Sequence, residues 1–325
     1  MNVFIVGGTG FIGYHAVQEF LQRGHTVTVL ALPPLPVADL LPSQVEIKFA
    51  NLNDLSDDEI GSLLQPQDAV VFAAGVDDRS LPQAPAYPYF YAGNVEACKR
   101  FFTLARQAGV KRGVLIGSYF AYFDRIWPEM KLSEHHPYIR SRKEQVRISL
   151  EVSLPDLELM VLELPYVFGV MPGRVPLWSP LIRYVTSPLP ILFYPRGGTN
   201  MISVKHVAEA IVGAIERGQP GEVYQIGEEN LTWAEFLSRL SELAGRERRV
   251  ITLPDWIVSL GTGLVTLYYK IRGKEGGLNP FRFTKLQTDR TFFDPIPSRQ
   301  ALGYGQGGLD DAFRETVAAC LTTKR

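Results

Sequence analysis

The residues with the plainest chemical use stand at the start of the chain. Gly7, Gly10 and Gly13 recur at every third position, and Gly8-Thr9-Gly10-Phe11-Ile12-Gly13 also reads as G-x-G-x-x-G. Glycines at such a turn let backbone N–H groups approach a pyrophosphate, and the helix that opens there offers unpaired donors and the positive end of its dipole. The chemistry this predicts is dinucleotide binding. The motif counts only when it follows a strand and opens a helix. Val3-Phe4-Ile5-Val6 supplies the strand, and Ile12, Ala16, Val17, Phe20 and Leu21 repeat at helical spacing up to the stop at Arg23-Gly24. The β-branched run Thr26-Val27-Thr28-Val29-Leu30 completes a βαβ unit.

The elements that must hold this turn in place follow in alternation. Strands are expected over 45–49, 69–74, 113–117 and 157–164, and helices over 54–64, 94–108 and 137–150. That pattern predicts an α/β fold with a doubly wound parallel (Rossmann) sheet. The loop 76–88, with Asp77, Asp78, Arg79 and Tyr87, leaves the carboxyl end of the fourth strand, where ligand crevices form, and is a candidate substrate wall. Beyond Leu164 the pattern changes. Residues 165–195 are rich in proline, glycine and aromatics; a helix over 203–217, a strand over 223–226, a capping box at Thr232-Trp233-Ala234-Glu235 and a last helix over 310–321 follow. The expected division is a nucleotide-binding domain over 1–165, rejoined by the helix 205–217, and a smaller irregular substrate-binding cap over 166–325.

The composition narrows the function. With 325 residues, 46% hydrophobic, 21% charged and a net charge of -1, the chain is an ordinary globular one without the basic face that nucleic acid requires. Cys98 and Cys320 make no disulfide framework, which predicts a reduced, cytoplasmic protein. No Cys/His cluster has metal spacing and no G-x-S-x-G elbow is present, so neither a metal site nor a hydrolase is expected. The uncharged run Trp256 to Tyr269 is too short for a membrane span, which needs about 20 residues. It is expected to be a substrate-pocket or interface helix, with a membrane-surface anchor as the alternative.

Further motifs join the glycine turn: Asp68-Ala69-Val70-Val71-Phe72-Ala73-Ala74, Asn94-Val95, Gly117-Ser118-Tyr119-Phe120-Ala121-Tyr122, His136-Pro137-Tyr138-Ile139-Arg140-Ser141, Pro165-Tyr166-Val167-Phe168-Gly169 and Leu302-Gly303-Tyr304. With them the whole chain resembles the short-chain dehydrogenase/reductase superfamily, in its extended or atypical branch, the NAD-dependent epimerase/dehydratase family. The resemblance implies an NAD(P)-dependent oxidoreductase or epimerase acting on a secondary alcohol or ketone, with NAD and NADP undistinguished. It implies a cofactor site made by Gly7, Gly10, Phe11, Ile12, Gly13, Asn51, Leu52, Ala73, Ala74, Gly75, Asn94, Pro165 and Val167. It also implies a catalytic group in which Ser118 holds the substrate oxygen, Tyr138 exchanges a proton with it, and a lysine four residues on lowers the pKa of the phenol.

The chain departs from that pattern. Arg142 stands four residues after Tyr138, and Lys143 is next. On a helix the i+4 position lies about 40° round from the tyrosine and i+5 about 140°, so Arg142 shares its face and Lys143 does not. Arginine supplies charge and ribose hydrogen bonds but no relayed proton. The resemblance, so altered, implies Ser118, Tyr138 and Arg142 as the catalytic residues; the alternative is a non-catalytic dinucleotide sensor or assembly factor. Ala31, Leu32 and Pro33 follow the second strand, where an acidic residue would select NAD and an arginine NADP. Glu163 stands where many members carry arginine, which argues against a nucleotide-sugar diphosphate, although Arg174 and Arg183 are available for a phosphate. Tyr87, Tyr89, Tyr91, Tyr119, Tyr122, Tyr166, Phe168, Trp178 and the run 256–269 suggest a wall for a hydrophobic ring or isoprenoid. His135 and His136 are read as structural or substrate-lining, not metal-binding. The family's dimer helices carry charged outer faces here, leaving monomer and homodimer both open.

Overall fold

A computed structural model describes residues 1–322. Its central layer is a seven-stranded parallel sheet. The strands are β1 (Asn2–Val6), β2 (Thr26–Ala31), β3 (Glu46–Phe49), β4 (Ala69–Phe72), β5 (Arg112–Ser118), β6 (Glu158–Leu164) and β7 (Val223–Gln225), in spatial order β7-β6-β5-β4-β1-β2-β3. The order reverses between β1 and β4, and ligand crevices open at the carboxyl ends of strands at such a switch. Val3, Ile5, Val70, Val71 and Val114 have no exposed surface, as expected of a sheet covered on both faces.

Helices α1 (Phe11–Gln22) and α6 (Val204–Arg217) pack on one face. Helices α2 (Asp57–Leu64), α3 (Ala97–Gln107) and α5 (Pro137–Ser153) cover the other. Between β5 and α5, residues expected only to follow the strand form α4 (Tyr119–Ile126), whose N-terminus Ser118 caps. The loop after β4 is shorter than expected: a helical turn starts at Tyr87, and a π-helical turn (Tyr91–Glu96) leads into α3.

The later chain adds a four-stranded and a two-stranded sheet, together with α7 (Trp233–Leu243), α8 (Asp255–Ile271), α9 (Pro280–Thr288) and α10 (Leu309–Thr322). The capping box at Thr232 and Glu235 forms as read. Its core gathers Phe168, Trp233, Phe236 and Phe313. Glu228 ties this part together: its carboxylate accepts from His206 Nδ1 at 2.9 Å, Ser203 N at 3.2 Å and Gly308 N at 2.6 Å. No helix among the described residues is long and apolar enough to cross a membrane.

Candidate active site

The glycine turn is built as the sequence requires. Gly7 has φ +85°, and a Cβ there would stand 2.9 Å from the Ala73 carbonyl oxygen; a Cβ on Gly13 would stand 2.2 Å from Gly7 O. Helix α1 thus packs on the turn at a distance only glycine permits. Gly10, its N-cap, brings no side-chain acceptor, so the first-turn amides at Phe11, Ile12 and Gly13 are left to an external anion. This cradle fits a dinucleotide pyrophosphate.

Two adjoining chambers open beside the turn. The first, about 380 Å³, is lined by Phe11, Ile12, Ser118, Tyr138, Arg142, Pro165 and Val167 together with Asp78 and aromatic side chains. The second, about 390 Å³, shares Phe11, Ile12 and Val167 and adds Ala73 and Arg174. The structure therefore brings the three triad positions, Pro165 and Val167, and Phe11 and Ile12 of the glycine turn to one cavity, while Gly7, Gly10 and Gly13 do not line it. Ala74 and Gly75 lie next along the chain from Ala73, and Gly75 approaches both Asn94 and Arg142. Asn94 is fully buried and clasps the post-β4 loop: its Oδ1 accepts from Val76 N at 2.8 Å and its Nδ2 donates to Ser141 Oγ at 3.2 Å. Asn51 and Leu52 lie at the carboxyl end of β3, away from both chambers; Asn51 Oδ1 accepts from Asn53 N.

The triad side chains come from two elements, Ser118 from the end of β5 and both Tyr138 and Arg142 from α5. Tyr138 sits in the first turn of α5, where Pro137 occupies a position that needs no amide donor. Phe90 and Phe120 meet the Tyr138 ring edge-on at 6.0 and 6.4 Å. Burial holds the phenol above its ordinary value, opposed by the Arg142 charge and by a hydrogen bond with Ser118. Arg142 Nη2 donates to Ile116 O at 2.6 Å, its guanidinium carbon lies 5.8 Å from the Tyr138 ring centre, and its buried Nε has no partner. Lys143 points elsewhere, to the Asp124 carboxylate at 2.7 Å. The helix-pitch argument for Arg142 over Lys143 describes the observed geometry.

The post-β4 loop contributes more than an expected wall. Asp78 faces the same chamber as Tyr138 and Arg142. Burial raises its carboxyl above the usual range and the Asp77 charge adds to this, while Arg79 and Arg142 oppose. Arg79 also lines the chamber, ion-paired to Asp77.

Several sequence expectations for the substrate wall need correction. Tyr119, Tyr166 and Trp178 do line the chamber, with Phe120 and Leu177 beside them. Phe168 is wholly buried in the core. The Tyr87 hydroxyl is bound to Glu144 at 2.5 Å, and Tyr122 packs on Phe123 and Phe293. Tyr89 and Tyr91, on the turns before α3, also lie outside the chambers. The run 256–269 lines neither chamber, because α8 stands out from the body with no buried residue. Glu163 is not a substrate group: Arg125 holds its fully buried carboxylate in a two-pronged contact at 2.8 and 2.7 Å. Arg183 lies outside both chambers and close enough to Cys320 to act on its charge. His136 is buried and structural, its Nδ1 accepting from Asn279 N at 3.0 Å.

Residues 7–158 match a family model described as NAD(P)H-binding. The chain fits the extended short-chain dehydrogenase/reductase family. It is an NAD(P)-dependent enzyme of the epimerase/dehydratase-like oxidoreductase type. Ceramide reductase of Caulobacter vibrioides is 25% identical over 325 residues, covering 97% of this chain and 93% of that protein. Among solved structures, gox2253 superposes with a TM-score of 0.81 at 20% identity, covering 99% of this chain and 98% of that one. MoeE5 in complex with UDP-glucuronic acid and NAD superposes with a TM-score of 0.69 at 20% identity, covering 99% of this chain and all of that one. These structural likenesses are likenesses of fold.

Proposed function

We propose that this extended short-chain dehydrogenase/reductase interconverts a ketone and a secondary alcohol on a hydrophobic substrate. The observation that carries the reading is the convergence of Ser118, Tyr138 and Arg142 on one chamber that opens against the glycine turn. The sheet with α1 and α6 serves the nucleotide, and the later chain covers the substrate. A bound nicotinamide supplies or takes the hydride. Ser118 holds the substrate oxygen, and Tyr138, kept protonated by burial, gives its proton to that oxygen during reduction. The Arg142 charge stabilises the phenolate that remains. Because guanidinium does not relay a proton, Asp78, which lines the same chamber, passes a second proton to the Tyr138 phenolate and is itself reprotonated from solvent.

The wall favours an apolar ring or chain over a sugar diphosphate. Tyr119, Phe120, Leu164, Tyr166, Leu177 and Trp178 surround the chamber, and of its cations Arg79 is already paired and Arg142 is bound to the backbone. The likeness to ceramide reductase supports a lipid-like substrate. Titration with NADH and NADPH, followed by a panel of hydrophobic ketones and nucleotide sugars, tests this. Turnover is expected on a hydrophobic ketone, and Tyr138→Phe should lower kcat by about a thousandfold with cofactor binding kept. Unchanged turnover in that variant would sink the reading.

A further inference from the structure

Helix α8 is built inside out. At about 100° per residue, Trp256, Ile257, Leu260, Leu264, Leu267, Tyr268 and Ile271 fall within roughly 120° of its circumference. All seven face solvent, with 68% of Trp256, 61% of Leu260, 62% of Leu264 and 76% of Ile271 exposed. The opposite, hydroxyl-bearing face makes the contacts with the protein. Thr262 Oγ1 meets Thr284 Oγ1 of α9 at 2.7 Å, and Thr266 Oγ1 accepts from Phe281 N at 3.1 Å. Phe281, itself 48% exposed, extends the apolar surface onto α9. A globular protein rarely leaves such a continuous stripe in water.

The charges around the stripe indicate what covers it. Residues 255–288 contain five basic and two acidic side chains in a chain whose net charge is -1. Lys270, Arg272, Arg282 and Lys285 are exposed, and none has an ion-pair partner among the described residues. Both acids are occupied: Asp255 holds Arg196 at 2.7 Å, and the Glu275 carboxylate accepts from Ala86 N at 2.7 Å. A second copy docked by a two-fold axis through this stripe would bring the Lys270 and Arg272 charges of the two copies together with no acid of α8 left free to meet them, Asp255 being paired with Arg196. An anionic lipid surface meets them all, and Trp256 and Tyr268 stand towards the two ends of the stripe as interfacial anchors.

We propose that α8 and α9 form a bilayer-docking hairpin, with α8 lying in the plane of an anionic membrane surface. The 17-residue helix is roughly 25 Å long, suited to lying in the interface and too short and polar on one side to span it. The hairpin adjoins the reaction chamber, since Gly277 O, between the two helices, accepts from Tyr138 N at 3.0 Å and Phe283 of α9 meets Phe120 edge-on at 5.7 Å. Docking would thus present the chamber to molecules dissolved in the lipid. The proposal stands on the surface alone and does not require the catalytic reading.

Flotation of the full chain with phosphatidylcholine vesicles, with and without phosphatidylglycerol, tests it. Binding is expected with the anionic vesicles and should weaken in high salt. Leu260→Gln with Leu264→Gln should reduce partitioning by about tenfold or more, and Lys270→Gln with Arg272→Gln by about tenfold. Both pairs should melt like the parent, since all four side chains are exposed. Three results would overturn the proposal: no flotation with either vesicle, flotation unaffected by the leucine pair, or a stable homodimer in solution that the leucine pair dissociates.

Discussion

Helices α5 and α8 have the same length and break the same rule in opposite directions. α5 turns Ser141, Arg142, Gln145, Ser149 and Ser153 inward, all buried, while Arg140, Arg147 and Glu151 face water. α8 turns threonines inward and large apolar side chains outward. An amphipathic surface helix does neither. Buried polar groups need partners, and α5 finds several inside the molecule: Ser141 Oγ donates to Tyr138 O, Arg142 reaches Ile116 O, and Gln145 Nε2 meets Cys98 Sγ at 2.8 Å, while Arg142 Nε, Gln145 Oε1 and Ser149 Oγ are left without one. Its inverted pattern is accounted for inside the molecule by the site it carries. The inverted pattern of α8 is not, which is why its explanation lies outside the chain. Departures from consistent patterning mark the functional places in a fold.

Helix α5 meets the α8–α9 hairpin through His136, whose Nδ1 accepts from the N-cap amide of α9, and pH should strain that joint. Burial, with the nearby His135 and Arg282 charges, lowers the His136 pKa from 6.5 to about 4. The ring must stay neutral to accept from Asn279 N. Its contribution is complete above pH 6.5 and is lost as the pH falls from 6.5 towards 4, because in that window the unfolded chain binds a proton that the folded chain refuses. The loss should approach about 3 kcal/mol. Urea unfolding across this range would reveal it, and His136→Asn should flatten the dependence.

A smaller effect sharpens the reading of the α5 face. Asp78→Asn should lower kcat by about tenfold with little change in cofactor affinity. In that background Arg142→Lys should recover turnover by restoring a side chain able to pass a proton. Additive losses in the double variant would instead mean that Asp78 only shapes the chamber. The smallest effect is expected on α8. Leu260→Gln should shift unfolding free energy by no more than about 0.5 kcal/mol, as for any exposed position. A loss several times larger would mean that the stripe is buried in solution by the chain itself or by a second copy.

The glycine turn, the parallel sheet and the choice of Arg142 over Lys143 were legible because each depends on spacing within a few residues. Ser118 and Tyr138 were placed by motif, and a shared chamber follows from the sheet order. What stayed hidden depends on contacts distant in sequence. The α4 segment is aromatic on several sides and carries no helical stripe, so its helix forms around the Ser118 cap and the Phe90–Phe120–Tyr138 cluster. The strand over 223–226 was legible, but its place beside β6 was not, since a three-residue strand says nothing about its neighbour. Residues 256–269 declared their apolar character plainly. Which face would look outward depended on Thr284 and Phe281, which the run itself does not contain.

The hydrogen bond from Tyr138 N to the Gly277 carbonyl bears on how the protein is made. A nascent chain that has emerged only through β6 already carries Ser118, Tyr138 and Arg142, along with the whole glycine cradle. It still lacks the carbonyl that receives the tyrosine's own amide, because that group is synthesised more than a hundred residues later. The glycine cradle is therefore made well before its surroundings are complete, and α5 takes its final seat only after the hairpin has been made and folded back. A protease cut within the exposed hairpin would reverse that last step and leave the sheet standing.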